Sequence, residues 1–492
     1  RVEQQQHQDA IVITAHEQSS ESVLEPVLAE VSADKAETEE EIDATSQEQG
    51  LRAFTAQEFK AERMMWLVNR IYAAEQESQE TPISAEEFLR QFKEGQKDFT
   101  EVNLAGANLS GESLIYNINL SRANLKRAKL FEVKLASANL SEANLCSAEL
   151  YKANLNSAKL EKAQLIKANI SSANLTYADL GGANLNGADL SQAILLQVNL
   201  SQANLSGANL SWANFSQLSN FSQANLSGAN LSRANLRTAK LTKADLSNAN
   251  LSNANLLEAN LEGANLQGAN FQQALYNSAT IFPTGFDPVK AGAYLIAPGV
   301  SLIKADLVGA DLSGSNLTGA SLHGANLTKA NLSGAKLVQV NLSGANLCEA
   351  NLCGNLTAAT LSSANLMQAT LGGNFTAADL SHTNLQNANF AQPDFSGANL
   401  SGVNLVGVSL HSINLSGANL SGAKLCGAEL YGANLTGANL SSADLRGANL
   451  GRTNLEKANL KGANIGGADF GKEDYQKANL NGAIMPDGTT YE

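Results

Sequence analysis

Residues 201–215 read SQANLSGANLSWANF. Each five-residue unit ends on a large apolar side chain (Leu205, Leu210, Phe215), with alanine two places earlier (Ala203, Ala208, Ala213) and asparagine between. The pattern extends well beyond this stretch. From Leu120 to Phe215 all 20 fifth-place residues are large and apolar, 18 of them Leu, with Ile170 and Phe215 as the exceptions. The alanine position departs at Ile118, Val133 and Val198.

A helix cannot use this period. Five residues advance by about 500°, a net ~140°, so successive leucines would scatter around the axis and form no stripe. Gly and Asn throughout would also weaken a helix. Extended chain fits better. Ala at i−2 and Leu at i share one face of a strand. The next inward residue is three places on, an odd step that flips the face unless the chain turns a corner there. Each pentapeptide therefore reads as a short extended edge plus a corner. Such edges close into a coil, and coils stack at about 4.8 Å through ladder hydrogen bonds. Leu and Ala fill the interior, and Asn, Ser, Gly and charged residues point outward.

The A-[N/D]-L-S-x unit closely resembles the pentapeptide-repeat family, cyanobacterial type. The resemblance covers 102–275 and 302–485 and implies an all-β solenoid. That solenoid would be a right-handed quadrilateral β-helix, four pentapeptides to the coil, in two blocks. The expected organisation is a disordered acidic leader (1–50), a helical segment and N-terminal cap (51–101), block 1 (102–275), a repeat-breaking insert (276–301), block 2 (302–485) and a tail (486–492).

The charge supports this division. Residues 1–101 hold 23 Asp/Glu against 9 Lys/Arg, 102–275 hold 10 against 13, and 302–485 hold 11 against 10. The whole-chain net of −14 therefore belongs to residues 1–101, ahead of the repeats. The repeats lack the basic excess of a nucleic-acid binder and the acidic excess of a nucleic-acid mimic. Residues 1–50, with 13 acids, 2 bases and no aromatic residue, are too polar to pack.

Met64, Trp66, Val68 and Tyr72 are candidate partner-binding residues. Met64, Val68 and Tyr72 fall on one face of a predicted helix, and Trp66 is their large aromatic neighbour. Ser84 and Glu87 have capping-box spacing for a second helix stopped at Gly95, with Phe88, Leu89 and Phe92 as its apolar face. This helix runs into the first repeat and is the candidate cap, because an open solenoid end exposes leucines and unpaired edges. Register slips punctuate the repeat. Leu114–Leu120 and Phe215–Phe221 are six-residue steps, and Leu352–Leu356 and Leu371–Phe375 are four-residue steps. They imply bulged or tightened corners. Ile281-Phe282-Pro283 and Ile484-Met485-Pro486 read as parallel exit signals.

Chemistry-bearing patterns are sparse. His323, His382 and His411 are dispersed, and Cys146, Cys348, Cys353 and Cys426 all stand where Ser is usual. Gly466 to Lys472 fits part of a P-loop, but Glu473 replaces the Ser or Thr that would bind magnesium. No catalytic, cofactor-binding or metal-binding residues are assigned. No apolar run approaches the ~20 residues of a membrane-spanning helix. The reading is a non-enzymatic, cytoplasmic scaffold for protein–protein interaction with an unidentified protein partner, no cofactor and no nucleic acid. Its oligomeric state is open. The alternative, suggested by the same resemblance, is a DNA-mimicking regulator of gyrase or topoisomerase.

Overall fold

The computed structural model describes residues 81–115, 117–469 and 477–492. The chain enters through α1 (Ala85–Lys93). Ser84 caps it, its side chain accepting from the Glu87 amide at 3.1 Å. The return half of the predicted capping box is absent, because Arg90 takes the Glu87 carboxylate through Nε at 2.9 Å and Nη2 at 2.8 Å. Those charge-assisted bonds outcompete a lone backbone amide. Gly95, at φ +105°, releases the chain from the helix.

Beyond Lys97 the backbone winds as a ladder of parallel bridges. Asn119 pairs with Asn139, Asn139 with Lys159, and Lys159 with Asp179, so each rung joins residues 20 apart. Two backbone bonds make a rung. Leu160 donates to Asp179 in the next coil at 2.6 Å, and Lys159 donates back to Ala138 at 2.9 Å. The corner follows at once. Ala163 donates to the Leu160 carbonyl at 3.0 Å, and Lys162 between them sits at φ +56°. A 1→4 bond with positive φ at the third residue is a type II turn. Glycine suits that place, yet Lys, Gln, Arg and Ser occupy it repeatedly.

Inside the coils, leucine and alanine are shut off from water almost without exception. Each buried leucine contributes about 1.5–3 kcal/mol. The apolar residues form two clusters. One runs from Phe88 to Ala293. The other takes in Leu257, Leu275 and Ile296 and runs to Ala483.

The sequence repeat lapses over 276–301, but the ladder persists. β1 (Leu275–Tyr276) pairs in parallel with β2 (Tyr294–Leu295), and Ile281 still bridges Asn260. Between these rungs Phe282 and Phe286 fold back over the first cluster. Their rings contact Phe271 at centroid distances of 6.3 and 5.0 Å. Neighbouring residues diverge here, with Tyr276 in the first cluster and Leu275 in the second.

Three longer strands, β3 (Asn351–Asn355), β4 (Thr370–Asn374) and β5 (Asn389–Asp394), form a parallel sheet in the order 3-4-5. β5 stacks on β4 across a regular five-residue step, Phe390–Phe395, whereas β3 and β4 lie at the four-residue steps. With one residue missing no corner forms, and the edge runs straight on. Gly354, Gly372 and Gly373 permit this close stacking. A Cβ on Gly354 would lie 2.8 Å from the Ala335 carbonyl oxygen, and one on Gly373 would collide with the Gly354 carbonyl oxygen. At the far end the chain doubles back. Ile484 bridges Thr490 antiparallel, and Gly482 and Ala483 exchange 2.8 Å bonds with Tyr491. This return strand occupies backbone groups that would otherwise face solvent.

Candidate partner-binding surface

The outward face is built by the same five residues that build the interior. The asparagine before each leucine accepts, through Oδ1, the amide two residues on, as Asn230 does from Ser232 at 3.2 Å. Its Nδ2 donates to the asparagine one coil back. Asn270 donates to Asn250 at 3.1 Å, Asn250 to Asn230 at 3.3 Å, and Asn230 to Asn209 at 3.2 Å. These amides are thus tied to the scaffold in continuous ladders. The two corner residues after each leucine lie beside these ladders, the second of them mostly exposed. The sequence reading placed Asn outside but missed this role. The signal was its recurrence at one phase of the repeat, where other surface positions vary.

Several corners carry large side chains. Phe131 stacks on Tyr151 one coil away at 5.5 Å. Tyr177 and Leu218 are 57% and 74% exposed. Leu218 marks the six-residue step. Gln217 and Leu218 are both left-handed there, at φ +69° and +67°. Ser219 takes the alanine place and donates to the Leu195 carbonyl at 2.7 Å.

The two cores meet through another set of corner and edge residues. Arg237 donates to the Ser313 carbonyl at 2.6 Å and to Glu258 at 2.8 Å. Asn255 donates to the Asp311 carbonyl at 2.9 Å. The Trp212 ring lies under Arg233, 4.7 Å from its guanidinium. A Cβ on Gly309 would meet the same ring at 3.6 Å. These contacts enclose only a small cavity of about 70 Å³. A wider one, about 550 Å³, opens in the second cluster between residues 385–390 and 404–409.

Of the residues singled out from sequence, Phe88 is fully buried with its ring 4.6 Å from Phe99. Leu89 and Phe92 are partly buried against the same cluster. Ile83 donates to Asn103 at 3.0 Å, joining the helix approach to the first coil. Met64, Trp66, Val68 and Tyr72 lie outside the described residues, as do Gly471, Lys472 and Glu473 of the P-loop-like run. The cysteines are free and half-buried, and burial pushes the Cys146 thiol up. His323 and His411 bond to Ser343 and Ser409, each at 2.8 Å. Among the described residues no three His, Cys, Asp or Glu side chains are placed to hold a metal ion. No helix there is long and apolar enough to cross a membrane.

The profile of the family described as pentapeptide repeats (8 copies) matches twelve overlapping segments, lying within 98–275 and 299–472 and covering well over half the chain. This chain belongs to the pentapeptide-repeat family. The family fold is a right-handed β-helix. Solved relatives come from several sources. A pentapeptide repeat protein of the Arabidopsis thaliana thylakoid lumen is 41% identical over 20% of this chain and 69% of its own, at a TM-score of 0.19. HetL from Nostoc sp. strain PCC 7120, involved in heterocyst differentiation regulation, is 23% identical over 83% and 100%, at 0.11. QnrB1, a plasmid-mediated fluoroquinolone resistance protein, is 20% identical over 38% and 89%, at 0.24. No curated protein matches the chain.

Proposed function

We propose that this pentapeptide-repeat protein is a non-enzymatic cytoplasmic scaffold that holds a protein partner. We read it as two four-sided blocks, 102–275 and 302–485. In this reading α1 closes one end with Phe88, Leu89 and Phe92, the return strand closes the other, and the acidic leader serves recruitment. One observation carries the functional reading. The ladder asparagines are bonded within the scaffold, while large apolar side chains such as Phe131, Tyr177 and Leu218 stand exposed at the corners. Such groups favour association with another protein surface. Duplex mimicry needs about one negative charge per 1.7 Å, and 102–275 carries 13 bases against 10 acids.

Affinity capture from the native host with the full chain and with a Tyr177→Ser/Leu218→Ser variant tests the reading. A protein retained by the first and lost by the second is the expected result. Equal retention would remove the corners from the argument. Salt-sensitive inhibition of gyrase supercoiling by the purified chain would favour the DNA-mimic alternative.

A further inference from the structure

Among the described residues the ladder of the second cluster is interrupted between two of its coils. Residues 379 and 394 pair with 399 and 414 in the following coil, but Asn384 and Asn389 have no bridge to Asn404 and Ser409. The interruption is confined to the facing groups. On the outer sides both coils stay paired. Leu366 donates to Asn384 at 2.8 Å, Asn389 to Ala369 at 2.8 Å, Leu405 to Lys424 at 2.8 Å and Leu410 to Glu429 at 2.8 Å. Across the gap the amides of Leu385 and Asn387 on one wall, and of Asn404 and Ser409 on the other, have no backbone partner. Asn384, Asn389, Asn404 and Ser409 are all exposed, whereas the ladder asparagines elsewhere are mostly half-buried.

The local sequence is irregular beside the parting. β5 follows the two straight strands with a register shift opposite Gly372 and Asn374. Pro393 then occupies the alanine place of its corner. Most regular corners are closed by an amide there, as Ala398 closes on Phe395 at 3.0 Å. Proline has no amide to give, so the Phe390 carbonyl goes without its turn bond.

We propose that the parted coils form a receptor for an extended segment of another polypeptide, which enters the gap as an additional strand. The inference rests on the scaffold function above and names the chemistry of the partner. Both walls offer strand-spaced backbone donors and acceptors, which an extended main chain satisfies by strand addition. Intact rungs on either side anchor both walls, so the slot is organised before the segment arrives. The lining carries no charge: Gln386, Asn387, Asn389, Asn404 and Ser409 are polar, Val406 is exposed at the rim, and Ala388, Phe390 and Val408 supply a partly buried apolar floor. The segment is therefore uncharged, about five residues long at ~3.3 Å per residue, with an apolar side chain directed inward. The cavity of about 550 Å³ is of that order.

Residue-resolved hydrogen exchange on the full chain tests this, with a blocked hexapeptide of alternating Val and Asn as probe. In the free protein the amides of Leu385, Asn387, Asn404 and Ser409 should exchange about 100-fold faster than those of Leu380 and Leu400. Millimolar probe should slow them about tenfold, and the same peptide N-methylated at alternate residues should not. Pro393→Ala restores the corner donor. It should protect the four amides without peptide and abolish the effect of the probe. The proposal is overturned if the four amides are protected in the free chain, if neither peptide protects them, or if both do. It is also overturned if Pro393→Ala changes nothing, or if protection rises with protein concentration alone, which would make a second copy the occupant. Host capture separates the two readings. A partner retained through the corners by a chain that ignores the probe leaves the scaffold standing without the receptor. Probe binding with no partner retained leaves the receptor and removes the scaffold.

Discussion

The coils of the first cluster and those of the second respond differently to a change in repeat length. Around Phe215–Phe221 one residue is added. The four affected rungs, from Asn199↔Asn220 to Asn214↔Asn235, join residues 21 apart, and the spacing then returns to 20. The extra residue is absorbed in one corner, where Leu218 swings out and Ser219 moves in. Around Leu352–Leu356, and again around Leu371–Phe375, one residue is lost, and rungs such as Lys336↔Asn355 join residues 19 apart. Here the corner disappears, and β3 and β4 run straight over two successive coils. The next coil carries the bulge and Pro393, and the one after it stands away. An insertion is local because a corner can swell into solvent. The deletions reach one coil further, because β5, with a regular five-residue step, is extended beside the straightened β4.

The largest expected effect asks whether the two regions share one interior. Leu160→Asp and Leu435→Asp each bury an unpaired charge and should cost several kcal/mol, about 3–5. Outward Ser206→Ala and Ser416→Ala should stay within about 0.5 kcal/mol. Denaturant unfolding of the four variants checks this. Tolerance of Asp at either leucine would show that the repeat phase differs between the regions.

The second test separates them. Gly373 has φ +85° and no room for a Cβ against the Gly354 backbone. Gly373→Ala should cost about 3 kcal/mol, combining overpacking with left-handed strain. Gly207 has φ +63° with nothing within 4 Å of an added Cβ. Gly207→Ala should cost about 1 kcal/mol. Equal unfolding midpoints for the two variants would deny that the straightened strands are tightly stacked.

Much of this architecture was legible from residues alone. The fixed spacing of Leu120, Leu125 and Leu130 identified the inward face, because an odd repeat of extended chain has few ways to bury one side chain in five. The spacing of Phe88, Leu89 and Phe92 placed three apolar groups on one face of α1, and all three lie against the first cluster. The slips were visible, but not what they would become. A six-residue step and a four-residue step look alike as errors in a period, and differ only once the corner is known to need three residues beyond its leucine. The parted coils lie beside a proline at an alanine place, Pro393, and involve a neighbouring coil 19 or 20 residues away. The return strand at Thr490 and Tyr491 pairs across a short turn unrelated to the period. Met64, Trp66, Val68 and Tyr72, the partner-binding candidates, remain proposals outside the described residues.

A third prediction compares asparagines. Asn230 bonds to Asn209, to Asn250 and to the Ser232 amide. Asn230→Ala should cost about 1–2 kcal/mol. Asn404, on the wall of the gap, makes only the bond from the Val406 amide, at 3.3 Å. Asn404→Ala should cost about 0.5 kcal/mol. Thermal unfolding of the pair measures the contribution of a continuous amide ladder, and equal losses would mean that the ladder adds nothing beyond the local turn.

The smallest effect concerns the ends of the described chain. Asp98 lies where the first rung begins, and hydrogen bonds from the Thr100 side chain and backbone hold its carboxyl below the usual carboxylate range. Asp487 lies in the closing turn, and the Thr489 hydroxyl and amide lower it in the same way. A carboxyl whose folded pKa is depressed binds its proton more readily when unfolded. Its contribution is therefore complete above the unfolded value, near 3.8 for Asp, and is lost as pH falls through the lower folded value. Both groups are exposed, so the effect is small and screened by salt. In Asp98→Asn/Asp487→Asn the amide oxygens still accept from the threonines, but the charge is gone. The fall in Tm between pH 6 and pH 2 should be smaller in this variant than in the parent at low ionic strength. If both proteins lose the same Tm over that range, acid weakens the coils through other carboxylates and not through these two turns. Comparing the single variants then shows whether the end before the regular coils or the end after the irregular ones is the more acid-sensitive.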